Sequence, residues 1–246
     1  MLANNTNNCA VTPQTIILLA AGSLSQAFRK VADAILNDYG LSLEAEFGST
    51  ARMAKLIREG SPCDVFASAD METPQKFVAS EQVVPLVRND MVAVARRDSG
   101  INSDGLPEFL IQARPLSIGI SDPCTQPCGS NALKSLSHIL PPQILDEKTR
   151  VITGGLDQKK AKAAGEKSDY TTALEQGADL LIVFRTTAQK VCKQWDQAQI
   201  IELPSPMQVT SQYGMAVLNN SVAVQTFIDY LQSQKVRHIF KDYGFQ

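Results

Sequence analysis

Small hydroxyl and glycine residues recur in this chain at one kind of place, where a short apolar run ends and a helical period begins. The turns are Ala20-Ala21-Gly22-Ser23, Phe47-Gly48-Ser49-Thr50, Ala67-Ser68-Ala69-Asp70, and Ser121-Asp122-Pro123 running on to Pro127-Cys128-Gly129-Ser130. The first N–H groups of a helix have no intrahelical partner and carry partial positive charge. A Ser or Thr beside them adds an O–H donor. One such turn reads equally well as a simple N-cap. The set reads as a cradle for an oxyanion, built from neutral donors because the turns contain no Lys or Arg.

Neutral donors constrain the ligand. A tetrahedral dianion without a proton, such as molybdate, tungstate or sulfate, offers only acceptor oxygens and is satisfied by a shell of donors. Hydrogen phosphate keeps a proton and needs an acceptor as well. Ser23, Ser49 and Thr50, with Ser68 as a further candidate, are the hydroxyls expected to donate.

Other chemistries find little support. The chain lacks a G-x-x-x-x-G-K-[ST] loop, a G-x-S-x-G elbow and an H-E-x-x-H pair. Its two histidines, His138 and His238, stand far from every Cys or Ser turn, which argues against a nucleophile–base pair and against catalysis. Five cysteines (Cys9, Cys63, Cys124, Cys128 and Cys192) leave at least one unpaired within the chain, and their pairing is open. Asp64 and Asp70 flank a strand end and read as caps rather than cation ligands.

The elements that must position these turns alternate. Strand-like runs cover Thr15–Ala20, Leu43–Phe47, Asp64–Ala67, Met91–Ala95, Leu116–Ile120, Leu180–Phe184, Ile200–Leu203 and Tyr213–Leu218. Helical periods start at Ser23, after Ser49-Thr50, near Gly129, at Asp169, at Ser221 and around Val236. Residues 140–167 read as loop with a short helix. This pattern predicts an α/β fold with mostly parallel sheets, in which ligands sit beyond the carboxyl ends of strands. The 246 residues are 44% hydrophobic and 20% charged, ordinary for a soluble globular protein with ample core, and the net charge of −2 argues against a nucleic-acid partner. No apolar run is long enough to span a bilayer. The Asn-rich residues 1–14 read as a disordered leader.

Three stretches together resemble the periplasmic molybdate/tungstate-binding proteins of ABC importers: Leu19-Ala20-Ala21-Gly22-Ser23-Leu24-Ser25, Phe47-Gly48-Ser49-Thr50, and Pro62-Cys63-Asp64-Val65-Phe66-Ala67-Ser68-Ala69-Asp70. Ser121-Asp122-Pro123 with Pro127-Cys128-Gly129, the strand 178–184 and the ending Phe240-Lys241-Asp242-Tyr243-Gly244-Phe245 extend the likeness over nearly everything after Thr15. The resemblance implies a type II periplasmic-binding fold: two α/β lobes joined by two crossing strands, Met91–Ala95 and Tyr213–Val217, with a ligand cleft between. Lobe 1 would comprise 15–92 plus 214–246, and lobe 2 would comprise 93–213. It also implies a monomer without a cofactor, in the periplasm or otherwise outside the cytoplasm, that hands its anion to a membrane permease.

Site roles follow from the same likeness. Gly22, Ser23, Ser49 and Thr50 would hold the anion from lobe 1, and the Cys128 backbone N–H from lobe 2. Phe184 stands where a Tyr often donates a hydroxyl, so that bond would be lost. Glu166 aligns with a carboxylate that can ligate Mo or W directly in the tungstate-type branch. Gln126 replaces a second such carboxylate. Alternatives are a same-fold protein for sulfate, phosphonate or an organic acid, an enzyme using Cys128 as nucleophile, and a sensing or adhesion module.

Overall fold

A computed structural model describes residues 14–112, 115–154 and 166–246. The expected leader, residues 1–14, thus falls almost wholly outside the described residues, as does Cys9. In chain order the elements are β1 (Thr15–Ala21), α1 (Ser25–Tyr39), β2 (Ser42–Gly48), α2 (Thr50–Arg58), β3 (Val65–Ser68), β4 (Val84–Arg96), α3 (Leu106–Ile111), β5 (Ile118–Ser121), α4 (Pro127–Ser137), α5 (Pro142–Lys148), β6 (Thr149–Thr153), α6 (Asp169–Glu175), β7 (Leu180–Phe184), α7 (Arg185–Gln194), β8 (Ala198–Glu202), β9 (Thr210–Val217), α8 (Val222–Leu231) and α9 (Gln234–Asp242).

The strands run β2-β1-β3-β9-β4-β7-β5-β6, with β8 also paired to β4. Two strand groups meet on the long β4. Its residues Val84–Asp90 pair with β9, and its residues from Met91 on pair with β7 and β8. β1–β2, β1–β3, β5–β6 and β5–β7 are parallel, whereas β9 and β4 run antiparallel to their neighbours. The sheet is therefore mixed, not mostly parallel. The reason is topological: a strand that carries the chain from one group to the other, and a strand that brings it back, must run in opposite directions.

Local chemistry sets the element ends. Ser49, Ser168, Ser221 and Ser233 cap α2, α6, α8 and α9 by accepting an N–H two or three positions into the helix. Asp64 and Asp70 act as loop anchors. Asp64 accepts from Ile17 N at 2.8 Å, and Asp70 accepts from Thr73 N at 2.7 Å and Thr73 Oγ1 at 2.9 Å. In residues 140–167, expected as loop with a short helix, α5 is a short helix and β6 is an unexpected strand. Val151 lies exposed, which blunts the strand pattern of β6.

Apolar strand faces and the inner stripes of the helices make the core, with Leu18, Phe28, Val65, Val92, Ile118, Leu181 and Phe227 fully buried. Burial of each large side chain contributes about 1.5–3 kcal/mol. A run of aromatic contacts crosses it: Phe28 on Phe240 at 5.5 Å, Phe240 on Phe245 at 5.4 Å, Phe245 on Tyr213 at 5.5 Å, and Tyr213 on Phe184 at 5.7 Å. The C-terminal segment thereby buttresses the β9–β7 junction.

The end of β5 and the start of α4 approach closely. A Cβ on Gly129 would lie 2.3 Å from Ser121 O and 2.7 Å from Pro123 N. Gly154, at φ +144, lies so close to Asp122 that a Cβ would meet Asp122 Cβ at 2.3 Å. At Gly22 a Cβ would stand 3.6 Å from Gly48 O, an ordinary contact. Gly129→Ala should therefore cost about 1–3 kcal/mol or more in urea denaturation, despite alanine's better helix propensity. Gly22→Ala should stay within about 0.5 kcal/mol. Equal stability of Gly129→Ala and the parent would contradict the close approach.

Candidate functional site

The carboxyl ends of strands from both groups open onto one cavity of about 650 Å³. Its wall includes Gly22 and Ser23 from the 3₁₀ turn after β1, Ser49 and Thr50 from the start of α2, Gln126 and Cys128 from the start of α4, Phe184 from the end of β7, and Glu166. These eight residues, all singled out in the sequence, border this single hollow, whereas the further candidate Ser68 does not. Thr153, Ser168, Tyr170, Thr186 and Thr187 join them.

The donors are not equivalent. Thr50 is buried at the first position of α2, and Ser49 Oγ accepts from Arg52 N at 3.2 Å as the cap. Ser23 Oγ lies 2.9 Å from Tyr213 Oη. Ser68 departs from expectation. No helix follows its turn directly, its hydroxyl donates to Asp70 Oδ1 at 3.1 Å, and only its neighbour Ala69 reaches the cavity wall. Ala51 N of α2 donates to Thr125 O at 3.3 Å, a contact between α2 and the turn before α4.

On the other side, Pro127 opens α4, its missing N–H being one the helix would leave unpaired anyway. The 122–126 turn is braced by Asp122, which accepts from Cys124 N at 2.9 Å and Thr125 Oγ1 at 2.7 Å. Cys128 is buried, with Ser121 and the backbone of Phe184 as hydrogen-bond partners. Burial pushes its thiol from the usual value near 9 up to about 11. The buried Tyr170 shares Ser121 (Oη to Oγ 2.7 Å), and burial raises its phenol too. These groups stay neutral at ordinary pH and place no negative charge beside an anion.

Phe184 is buried against Tyr213 and has no side-chain hydrogen to give. It precedes α7, a helix that sequence reasoning missed because no Ser, Asp or Asn caps it. The signal was present in Arg185-Thr186-Thr187, two threonines directly after an apolar strand. Glu166 is exposed at the cavity wall, and its carbonyl accepts from Gln194 Nε2 at 2.8 Å. Basic residues are not absent from the hollow: Arg29 and Lys30 of α1 and Lys190 of α7 border it, the first two exposed. The turns lack cations, but α1 and α7 supply them to the same wall. Among the described residues Cys63, Cys124, Cys128 and Cys192 are free thiols, and no cluster of three His, Cys, Asp or Glu side chains could hold a metal ion.

A bacterial extracellular solute-binding protein family matches residues 16–246. The chain belongs to this family. Curated relatives of this solute-binding protein include the molybdate-binding protein ModA of Escherichia coli, 26% identical over 242 residues, covering 94% of this chain and 88% of the relative. ModA of Haemophilus influenzae is 24% identical, with 94% and 89% covered. Among solved structures, the periplasmic molybdate-binding protein of Azotobacter vinelandii superposes with a TM-score of 0.71 at 18% identity, over 94% of this chain and 98% of that one. The sulfate-binding protein SubI of Mycobacterium tuberculosis gives 0.74 at 14% identity, over 94% and 86%. These likenesses establish the fold as that of periplasmic binding proteins. No helix among the described residues is long and apolar enough to cross a membrane.

The thiols of this solute-binding protein can be told apart chemically. At pH 7.5 the exposed Cys124 should react with iodoacetamide while Cys128 stays unmodified, as mapped by mass spectrometry. The Cys128 pKa is raised on folding, so stability from burying the neutral thiol is complete below about pH 9 and is lost as pH rises through about 11. Rapid labelling of Cys128 at pH 7.5 would contradict this environment.

Proposed function

We propose that this protein captures molybdate or tungstate outside the cytoplasm and delivers it to the membrane permease of an ABC importer, without catalysis. The observation that carries the reading is the cavity wall itself. First-turn residues of α2, α4 and α7 and the hydroxyls of Ser23, Thr50 and Thr186 border one hollow fed from both strand groups. Helix N-termini and neutral donors suit a dianion that brings no proton. The two ModA relatives support the choice of ligand. The neutral thiol of Cys128, with no His in the wall, speaks for binding rather than nucleophilic chemistry.

In this reading residues 15–92 with 214–246 form one lobe, 93–213 form the other, and closure of the two shuts out water as the anion binds. Arg29, Lys30 and Lys190 attract the anion from a distance without touching it. Glu166 has the most specific role: its carboxylate would complete the coordination of Mo or W, metals that expand beyond four oxygens, whereas sulfur cannot. Gln126, neutral where a second carboxylate could stand, would contribute a hydrogen bond only.

A sulfate carrier is the second reading, favoured by the SubI likeness and by Phe184, which removes one hydroxyl from the wall. Titration calorimetry with molybdate, tungstate, sulfate and phosphate separates the two. Tight molybdate and tungstate binding with much weaker sulfate and phosphate is expected, and equal sulfate affinity would overturn the metal-oxyanion assignment. Ser23→Ala and Thr50→Ala should each weaken molybdate roughly 10- to 100-fold, the scale of a hydrogen bond to a charged group. Glu166→Gln should weaken molybdate and leave sulfate unchanged.

A further inference from the structure

A hydroxyl can face an anion with its proton or with its lone pairs, and only the proton binds. Ser23 Oγ is half-buried at the cavity wall, and its other neighbour is Tyr213 Oη at 2.9 Å. Either oxygen of that pair could donate, so its direction must come from what lies behind it.

Behind it is Asn89, fully buried on β4 within the segment that still pairs with β9. Its Nδ2 contacts Tyr213 Oη at 3.1 Å and Thr186 Oγ1 at 3.1 Å, while Oδ1 is buried without a partner. The reverse orientation of the amide would leave two N–H donors unpaired instead of one acceptor, which costs more. Asn89 is therefore the donor to both hydroxyls. Tyr213 Oη already accepts from Asn89, and its own proton has one outlet, Ser23 Oγ. Were Ser23 to donate instead, the Tyr213 O–H would be orphaned in a site with no solvent exposure. Packing fixes the ring, with Phe184 on one side and Phe245 on another. The order is thus Asn89 N–H to Tyr213, Tyr213 O–H to Ser23, and Ser23 O–H to the cavity. Thr186 accepts from the same amide and turns its proton away from Asn89.

We propose that Asn89 and Tyr213 are positioning residues that set the polarity of the site hydroxyls, so that Ser23 and Thr186 offer protons to the oxyanion. One amide on the strand shared by both groups sends a hydrogen bond toward each side of the cavity. The inference rests on the reading of the cavity as an oxyanion site. Neither Asn89 nor Tyr213 belongs to the cavity wall, and neither was singled out in the sequence.

A double-mutant cycle tests it, with sodium molybdate as the probe in calorimetry on the full chain and melting temperatures recorded alongside. Tyr213→Phe keeps every ring contact and removes only the hydroxyl. It should weaken molybdate roughly 3- to 10-fold, the value of one hydrogen bond acting through a second. In the Ser23→Ala background the same change should cost less than about twofold, because the group it orients is gone. A loss of equal factor in both backgrounds means Tyr213 acts structurally and overturns the relay, as does unchanged binding by Tyr213→Phe. If Tyr213→Phe does not fold, Asn89→Leu, of the same branching but without a donor, is tested one bond earlier in the Thr186→Ala background: its loss should shrink when Ser23→Ala is added, and an undiminished loss overturns the relay. Absence of molybdate binding by the parent protein overturns the functional reading itself. Parent binding without coupling between positions 213 and 23 overturns the relay alone.

Discussion

An anion can be taken out of water without a counter-cation only if enough hydrogens already point at the place it will occupy. Reorienting donors after binding would consume the affinity they supply, so the protein must set them in advance. In the proposed reading this requirement accounts for features that otherwise look unrelated. Four helices of eight or more residues, α1, α2, α4 and α7, begin at the cavity. The turn before α4 is locked by Asp122 and by a glycine approach that no side chain could enter. The Cys128 thiol and the Tyr170 phenol in the cavity wall are kept neutral by burial.

The same constraint explains why β4 and β9 matter more than their place in the sheet suggests. They join the two strand groups, and they also carry the buried polar pair Asn89 and Tyr213 that reaches hydroxyls on both sides. The aromatic run from Phe28 through Phe240 and Phe245 to Tyr213 and Phe184 ties the C-terminal helix to that pair. Packing far from the cavity thereby holds the ring whose hydroxyl meets Ser23.

Much of this was legible in the sequence, for reasons that differ by residue. Gly22, Ser23, Ser49 and Thr50 announced themselves because turn chemistry is local: a hydroxyl or glycine between an apolar run and a helical period has few other uses, whereas the role of Cys128 came with the family resemblance. β7 was readable to the residue because it is apolar and fully buried. Ser68 misled because the same local signal cannot show that a carboxylate two residues on will take the hydroxyl. α7 escaped because it lacks a capping side chain, and with it went Thr186. Tyr213 and Asn89 were illegible in principle. Their partners lie 190 and 97 residues away, and only the fold brings them together. Mixed strand directions were likewise hidden, since parallel and antiparallel neighbours share one apolar alternation.

In the proposed function a tetrahedral metal oxyanion is held by neutral donors from both sides of one cavity. A crystal of the protein grown with molybdate, with the metal located by its anomalous scattering, addresses that directly. A single strong peak is expected between Ser23, Thr50 and the first turn of α4, with Ser23 Oγ and a backbone N–H from α4 both within hydrogen-bonding distance of the anion's oxygens. A peak elsewhere, or an anion held chiefly by Arg29, Lys30 or Lys190, would contradict it.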